Sequence, residues 1–83
     1  MRPEKHSLTL RGHRTSVSLE SQFWKAFLEI SAHEGKTING LAAQIDEARA
    51  PETGLATAIR GYVLQWYQDQ HEALSAGKSR PQT

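Results

Sequence analysis

Residues 13–19 alternate strictly between polar and apolar positions, which is the pattern of a half-buried β-strand. Successive side chains of a strand point to opposite faces, so one face carries Thr15, Val17 and Leu19 and the other carries Arg14, Ser16 and Ser18. A lone strand leaves backbone donors and acceptors unpaired and is not stable in water. We therefore expect this strand to pair with its copy in a second chain, as an intermolecular two-stranded antiparallel ribbon.

Helical spacing follows the strand without an intervening loop. Apolar residues recur every three or four positions from about residue 20 to 34, and Gly35 supplies a stop. Thr37 is a favourable N-cap for a second helix, which ends near the Pro51–Gly54 break. A third stripe predicts a helix over residues 55–72. The predicted fold class is mainly α, with one short strand and three helices.

The two ends of the chain are less regular. Residues 1–12 are expected to form a basic N-terminal arm and residues 73–83 a disordered tail, which leaves a domain over residues 13–72. Residues 7–10 also alternate, so an intrachain hairpin turning at Arg11-Gly12 is an alternative to the intermolecular ribbon. The alternative is less favoured because two-residue hairpin turns prefer Asn-Gly, Asp-Gly or a leading glycine.

Charge is distributed unevenly along the 83 residues, although the net charge is only +1. The first 19 residues carry four basic side chains and one acidic side chain, whereas residues 20–72 carry four basic and eight acidic side chains. A basic end on an acidic body indicates a polyanionic partner. The chain has no cysteine, which excludes disulfides and thiolate metal sites, and it has no run apolar enough for a membrane span. A cytoplasmic location is expected.

The order of strand, helix, Gly-Lys-Thr turn and helix resembles the ribbon-helix-helix DNA-binding family, to which the Arc and MetJ repressors belong. The resemblance rests on residues 14–20, on Phe27 and Ile30, and on residues 34–39, and it covers roughly residues 5–67. The chain looks like a branch with a longer N-terminal arm and an added C-terminal helix. The resemblance implies an intertwined homodimer that binds double-stranded DNA and acts as a transcriptional repressor or antitoxin.

By the same resemblance, the outward strand residues Arg14, Ser16 and Ser18 would contact base edges in the major groove. An arginine side chain can bind guanine O6 and N7 together, whereas serine discriminates less. The N-terminus of the second helix would hold a phosphate with its free backbone N–H groups. The expected phosphate contacts are Lys36, Thr37, Ile38, Asn39, Arg11, His13, Lys5 and Arg2.

Small size and extensive apolar stripes predict that the core is shared between two chains. The expected dimer interface consists of Thr15, Val17, Leu19, Phe23, Phe27, Ile38, Leu41, Ile45, Ile59, Tyr62, Val63 and Trp66. The third helix would clasp the partner subunit and is also a possible site for another protein.

No pattern in the sequence indicates catalysis. His6, His13, His33 and His71 are not spaced as a metal site, and the acidic residues Glu29, Glu34, Asp46 and Glu47 are scattered over helix surfaces. We expect no enzyme activity, no metal and no cofactor. The function predicted is that of a sequence-specific transcriptional regulator on a pseudo-palindromic site. The alternative is a non-enzymatic protein-interaction module or antitoxin of the same dimeric fold.

Overall fold

The computed structural model describes the backbone of residues 2–78 and the side chains of residues 2–74. Two strands come first, β1 over Glu4–Leu10 and β2 over His13–Leu19. Three helices follow: α1 over Ser21–His33, α2 over Ile38–Ala48 and α3 over Leu55–Lys78. The mainly helical fold class and the three helices agree with the prediction. The strand content does not, because β1 forms from the segment expected to be an arm.

The ribbon belongs to a single chain. β1 and β2 pair antiparallel from Glu4 opposite Leu19 to Leu10 opposite His13. The predicted intermolecular ribbon is therefore wrong, and the intrachain hairpin is the observed arrangement. Arg11 and Gly12 form the turn with φ angles of +50° and +83°, the two positive values that a type I′ turn requires. This turn matches the twist of the two strands.

A distant contact holds the turn in place. The guanidinium of Arg11 donates to Asp46 Oδ2 and to Glu47 Oε2, each at 3.0 Å, from the last two turns of α2. A non-glycine residue with positive φ is disfavoured, so the paired carboxylates offset part of the cost of placing arginine there. Asp46 also accepts from Arg49 Nε at 2.7 Å. The hairpin tip is thus tied to the helical body.

One face of the hairpin lies on the helices and closes a core within one chain. The inward side chains alternate with exposed ones along both strands, as the half-buried strand pattern predicts. The buried apolar side chains are Leu8, Leu10, Val17, Leu19, Phe27, Ile30, Leu41, Ala42, Ile45, Ile59 and Val63. All five elements contribute to this set. The chain therefore forms a core of its own, whereas the sequence suggested a core shared with a partner.

The helix ends follow the signals in the sequence. Gly35 adopts a φ of +69° just after α1, and this left-handed conformation ends the helix. Thr37 caps α2, where its side-chain oxygen accepts a hydrogen bond from Gly40 N at 2.9 Å. α3 runs to Lys78, past residue 72 where the prediction ended it and into the segment predicted to be a disordered tail. Residues 79–83 of that predicted tail lie outside the described residues.

Polar contacts fix α3 to the rest of the chain along its first half. Arg60 donates to Glu20 Oε1 from Nε at 2.9 Å and to the carbonyl oxygen of Ser18 from Nη2 at 3.3 Å. Further along, the indole N–H of Trp66 donates to Glu34 Oε2 at 2.9 Å. These bonds join α3 to both ends of α1 and to the end of β2.

Candidate nucleic-acid interface

The outer face of the hairpin is a polar surface built by both strands. Paired residues of antiparallel strands share a face, so the exposed positions of β1 lie beside those of β2. We use the name "outer face" for the six exposed side chains Lys5, Ser7, Thr9, Arg14, Ser16 and Ser18. The three residues predicted to contact bases are all on it. The structure adds three residues from β1, of which Ser7 and Thr9 were not expected to belong to a site.

Two cations mark the ends of the outer face. Lys5 lies opposite Ser18, and Arg14 lies opposite Thr9 nearer the turn. Four strand positions separate these pairs, which places the two charges roughly 14 Å apart along the ribbon. Within residues 2–78, neither Lys5 nor Arg14 forms a salt bridge. Hydroxyl groups fill the space between the cations, so the face presents donors and acceptors flanked by positive charge.

The N-terminus of α2 lies directly beside this face. Asn39 Oδ1 accepts a hydrogen bond from the backbone N–H of Thr9 at 3.0 Å, which joins the first turn of α2 to the outer edge of β1. Thr37 uses its side chain to bind Gly40 N, and Leu41 N binds the Thr37 carbonyl. The N–H groups of Ile38 and Asn39 form no hydrogen bond within the described residues. The positive end of the helix dipole is therefore open to an anion beside the ribbon.

The remaining residues predicted to bind phosphate are placed differently. Lys36 precedes α2 and donates from Nζ to Gln44 Oε1 at 2.8 Å. Arg2 and His13 are exposed, the latter at the start of β2. Arg11 is occupied by its salt bridges with Asp46 and Glu47. The structure thus brings Lys5 and the α2 N-terminus to the ribbon, and it gives Arg11 a structural contact at the tip.

The hairpin is held rigidly against α1. His6, on the inward face of β1, stacks on Trp24 with ring centroids 3.9 Å apart and an interplanar angle of 5°. No sequence pattern indicated this pair, because the two residues come from segments that were expected to be separate. The stack fixes the N-terminal half of β1, while Arg11 fixes the tip. Both ends of the outer face are therefore positioned before any ligand binds.

The outer edge of β2 keeps free backbone groups. In a hairpin with a two-residue turn the flanking pair, Leu10 and His13, is hydrogen-bonded, so the backbone groups of the alternate positions point away from the partner strand. The Ser18 carbonyl is one of these groups and accepts from Arg60. The corresponding groups of Arg14 and Ser16 have no hydrogen-bond partner between residues 2 and 78. The edge is open near the turn and covered by Arg60 at its other end.

The residues predicted to form a dimer interface lie against one another in a single chain. Val17, Leu19, Phe27, Leu41, Ile45, Ile59 and Val63 are buried, and Thr15, Phe23, Ile38, Tyr62 and Trp66 are half-buried. The periodicity identified a buried face on each element. The place of these residues in a dimer interface remains a prediction.

Arg60 dominates the electrostatics at the junction of β2 and α1. Its hydrogen bond to the carboxylate lowers the pKa of Glu20 below the ordinary value. The same guanidinium lies 5.9 Å from the centre of the Phe23 ring, within cation–π range. In a similar way, hydrogen bonds from Arg49 and then Arg11 lower the pKa of Asp46. Both carboxylates form ion pairs that link separate elements of the fold or brace the end of α2.

Over the described residues, no group of three histidine and acidic side chains is placed to hold a metal ion. None of the helices in that part of the chain combines the length and the apolar character needed to cross a membrane.

The comparisons with known proteins give one positive result. A family model described as "Ribbon-helix-helix domain" matches residues 3–67, which spans both strands, α1, α2 and the first half of α3. No curated protein and no solved structure gives a significant match.

Proposed function

Because this chain belongs to the ribbon-helix-helix family, we propose that it binds double-stranded DNA by inserting the outer face of its hairpin into the major groove. The observation that supports this proposal is the Asn39–Thr9 hydrogen bond, which places an open helix N-terminus beside an exposed polar ribbon. A two-stranded ribbon fits the major groove, and a helix N-terminus binds the phosphates that border it. The two elements therefore match the two parts of one DNA surface.

Each part of the surface has its own role. Arg14 contacts a base edge, since its guanidinium can bind guanine bidentately, and Ser16 and Ser18 make less selective contacts. Lys5 and the N–H groups of Ile38 and Asn39 bind phosphate oxygens and supply affinity that depends on salt. Lys36, Arg2 and His13 are close in sequence to these residues or to Arg14, and they make further contacts with the phosphate backbone.

The protein acts as a homodimer that regulates transcription, with one hairpin in each half of a pseudo-palindromic site. Because one chain builds a complete ribbon, each copy reads its half-site alone. Repression would follow when the bound dimer occupies a promoter. Two copies on one site also double the phosphate contacts, which steepens the dependence of affinity on salt.

The test compares two variants that each remove one positive charge. Arg14→Ala removes the proposed base contact, whereas Lys25→Ala removes a charge from an exposed position of α1, outside the two strands. The preferred sequence is first selected from random DNA, and affinities are then measured by fluorescence anisotropy over a salt series. Arg14→Ala should weaken binding to the preferred site by about 1–3 kcal/mol and relax the preference at one base pair. Lys25→Ala should preserve the preference.

A third variant distinguishes a phosphate contact from a base contact. Lys5→Ala should lower the affinity for every sequence and reduce the salt slope by about one unit. If Arg14→Ala leaves both affinity and sequence preference at the wild-type values, the ribbon is not the DNA-reading element.

One observation favours the second candidate function, a protein-interaction module or antitoxin of the same fold. α3 carries exposed apolar side chains, among them Leu64 and Leu74. Gel shifts of the purified protein against random DNA separate the two functions. Binding that is lost steeply with salt supports the DNA-binding function, and no shift at low salt supports the interaction module.

A further inference from the structure

Thr9 differs from the other five residues of the outer face. That face consists of two cations, three serines and this threonine, so Thr9 carries its only methyl group. In the major groove the base pairs differ in their hydrogen-bonding groups, and thymine also presents a 5-methyl group. The outer face therefore has one position that is suited to contact thymine through apolar surface.

The backbone of Thr9 is fixed by three neighbouring contacts. The residues on either side of it, Leu8 and Leu10, are buried in the core, with 2% and 8% of their surface exposed. The N–H of Thr9 donates to Asn39 Oδ1 at 3.0 Å. Because threonine is branched at Cβ, its side chain also has few rotamers. The methyl group is thus held in a defined position, which keeps the entropy cost of a contact small.

Arg14 is the partner of Thr9 across the ribbon. The pair beside the two-residue turn, Leu10 with His13, is hydrogen-bonded, so the next pair along is a non-hydrogen-bonded pair. The N–H of Thr9 accordingly points away from β2 and reaches Asn39. Non-hydrogen-bonded pairs have Cα atoms about 4.5 Å apart, the closer of the two spacings in an antiparallel sheet. Thr9 and Arg14 therefore extend from adjacent points of the outer face.

We propose that Thr9 is a specificity-determining residue, whose methyl group contacts the 5-methyl group of a thymine in the major groove. The inference rests on the proposed function, in which Arg14 binds a guanine. Because guanine pairs with cytosine, which has no methyl group, the thymine belongs to a neighbouring base pair. Successive base pairs are about 3.4 Å apart, comparable with the roughly 5 Å between the Cβ atoms of paired residues. The preferred site therefore contains a T·A pair directly beside the G·C pair bound by Arg14.

The hydroxyl group of Thr9 is the alternative base-contacting group. A hydroxyl both donates and accepts hydrogen bonds, so it contacts several bases and adds little selectivity. Ser7, Ser16 and Ser18 already supply groups of this kind on the same face. The methyl group is what distinguishes Thr9 from these serines, and its contact with thymine is selective.

Deoxyuridine tests the contact, because it lacks the 5-methyl group and keeps every hydrogen-bonding group of thymine. The preferred site is selected from random DNA, and the base pair whose preference is relaxed by Arg14→Ala identifies the guanine. Each thymine of the site is then replaced singly by deoxyuridine, and affinities are measured by fluorescence anisotropy. Replacing the thymine beside that guanine should weaken binding of the wild-type protein about fourfold, the factor expected for one buried methyl group.

Two substitutions of Thr9 separate the roles of its methyl and hydroxyl groups. Thr9→Ser removes the methyl group, so the thymine and deoxyuridine sites should be bound equally. Thr9→Val keeps a methyl group at the same place and removes the hydroxyl, so the difference between the two sites should remain. Both variants keep the backbone bond to Asn39 at an exposed position. Ser7→Ala is the matched control on the same strand and face, and it should keep the difference.

The possible contrary results fall at different steps. If Thr9→Ser distinguishes the two sites as well as the wild-type protein does, the methyl contact belongs to another residue. If Thr9→Val alone loses the difference, the hydroxyl makes the contact. Sensitivity to a thymine two or more base pairs from the guanine contradicts the pairing of Thr9 with Arg14.

Two further results separate this inference from the proposed function. Equal affinity of the wild-type protein for the thymine and deoxyuridine sites overturns the methyl contact. The loss of sequence preference in Arg14→Ala would still support DNA reading by the ribbon in that case. If the wild-type protein binds no DNA sequence in preference to random DNA, both proposals fail together.

Discussion

Ile59→Ala tests whether α3 is part of the core of one chain. Ile59 is fully buried, with no exposed surface, and it belongs to the cluster that joins both strands and all three helices. Its truncation removes three carbon atoms, a loss of roughly 2.4 kcal/mol at about 0.8 kcal/mol per buried carbon. The cavity left behind raises the expected loss in the free energy of unfolding to about 3–4 kcal/mol. A small domain has little more than this in reserve.

Urea unfolding measures this loss, and the two tryptophans report on different parts of the molecule. Trp24 stacks on His6 at the hairpin, and Trp66 binds Glu34 from α3. Single-tryptophan versions, each with the other tryptophan replaced by phenylalanine, should unfold with coincident midpoints if the chain is one cooperative unit. Ile59→Ala should lower both midpoints together.

Leu64→Ala is the matched control on the same helix. Leu64 is 57% exposed, so its truncation should change the free energy of unfolding by less than about 0.5 kcal/mol. The reasoning is refuted if Ile59→Ala costs less than about 1 kcal/mol, which would be too small for a fully buried isoleucine. It is also refuted if only the Trp66 midpoint shifts, because α3 would then unfold separately from the hairpin.

Three further predictions concern the turn, the junction and the helix N-terminus. Gly12→Ala should destabilise the fold by about 1–2 kcal/mol in urea unfolding, because a Cβ at a φ of +83° is strained although no atom lies within 4 Å of it. Glu20 has a lowered pKa in the folded chain, so its contribution is present above the unfolded pKa and is lost as pH falls through the folded value. Glu20→Gln should therefore flatten the acid limb of the stability profile, and an unchanged limb would show that Arg60 does not stabilise the carboxylate. Asn39→Ala removes the hydrogen bond to Thr9 N and should weaken DNA binding for all sequences. Asn39→Asp keeps the acceptor and should retain the contact between the hairpin and α2. Amide hydrogen exchange at Thr9 would measure that contact in both variants.

The helices could be predicted from the sequence because their signals are local. The cap at Thr37 and the left-handed Gly35 act on residues within one helical turn, and the structure shows both. The end of α3 was missed because small and polar residues such as those at positions 73–78 can continue a helix as well as leave it. Sequence polarity does not distinguish these two cases.

The hairpin was only the less favoured alternative from the sequence, because the contacts that stabilise its turn are distant in sequence. Arg11 is a poor residue for a type I′ turn, and turn chemistry alone counts against it. Its partners Asp46 and Glu47 lie 35 and 36 positions further along the chain. The outward residues of β2 were found from alternation, whereas Ser7 and Thr9 joined the same face only because β1 pairs with β2. The residues proposed to contact DNA remain predictions.

The hairpin also determines how the protein responds to dilution. A ribbon made of strands from two chains disappears when the chains separate, so its formation is second order in protein. Here the strands are joined by two residues, and closing so short a loop is a local, unimolecular event. The outer face therefore persists in an isolated chain at any concentration. Dilution would lower the number of molecules, but each molecule present would still carry the complete outer face.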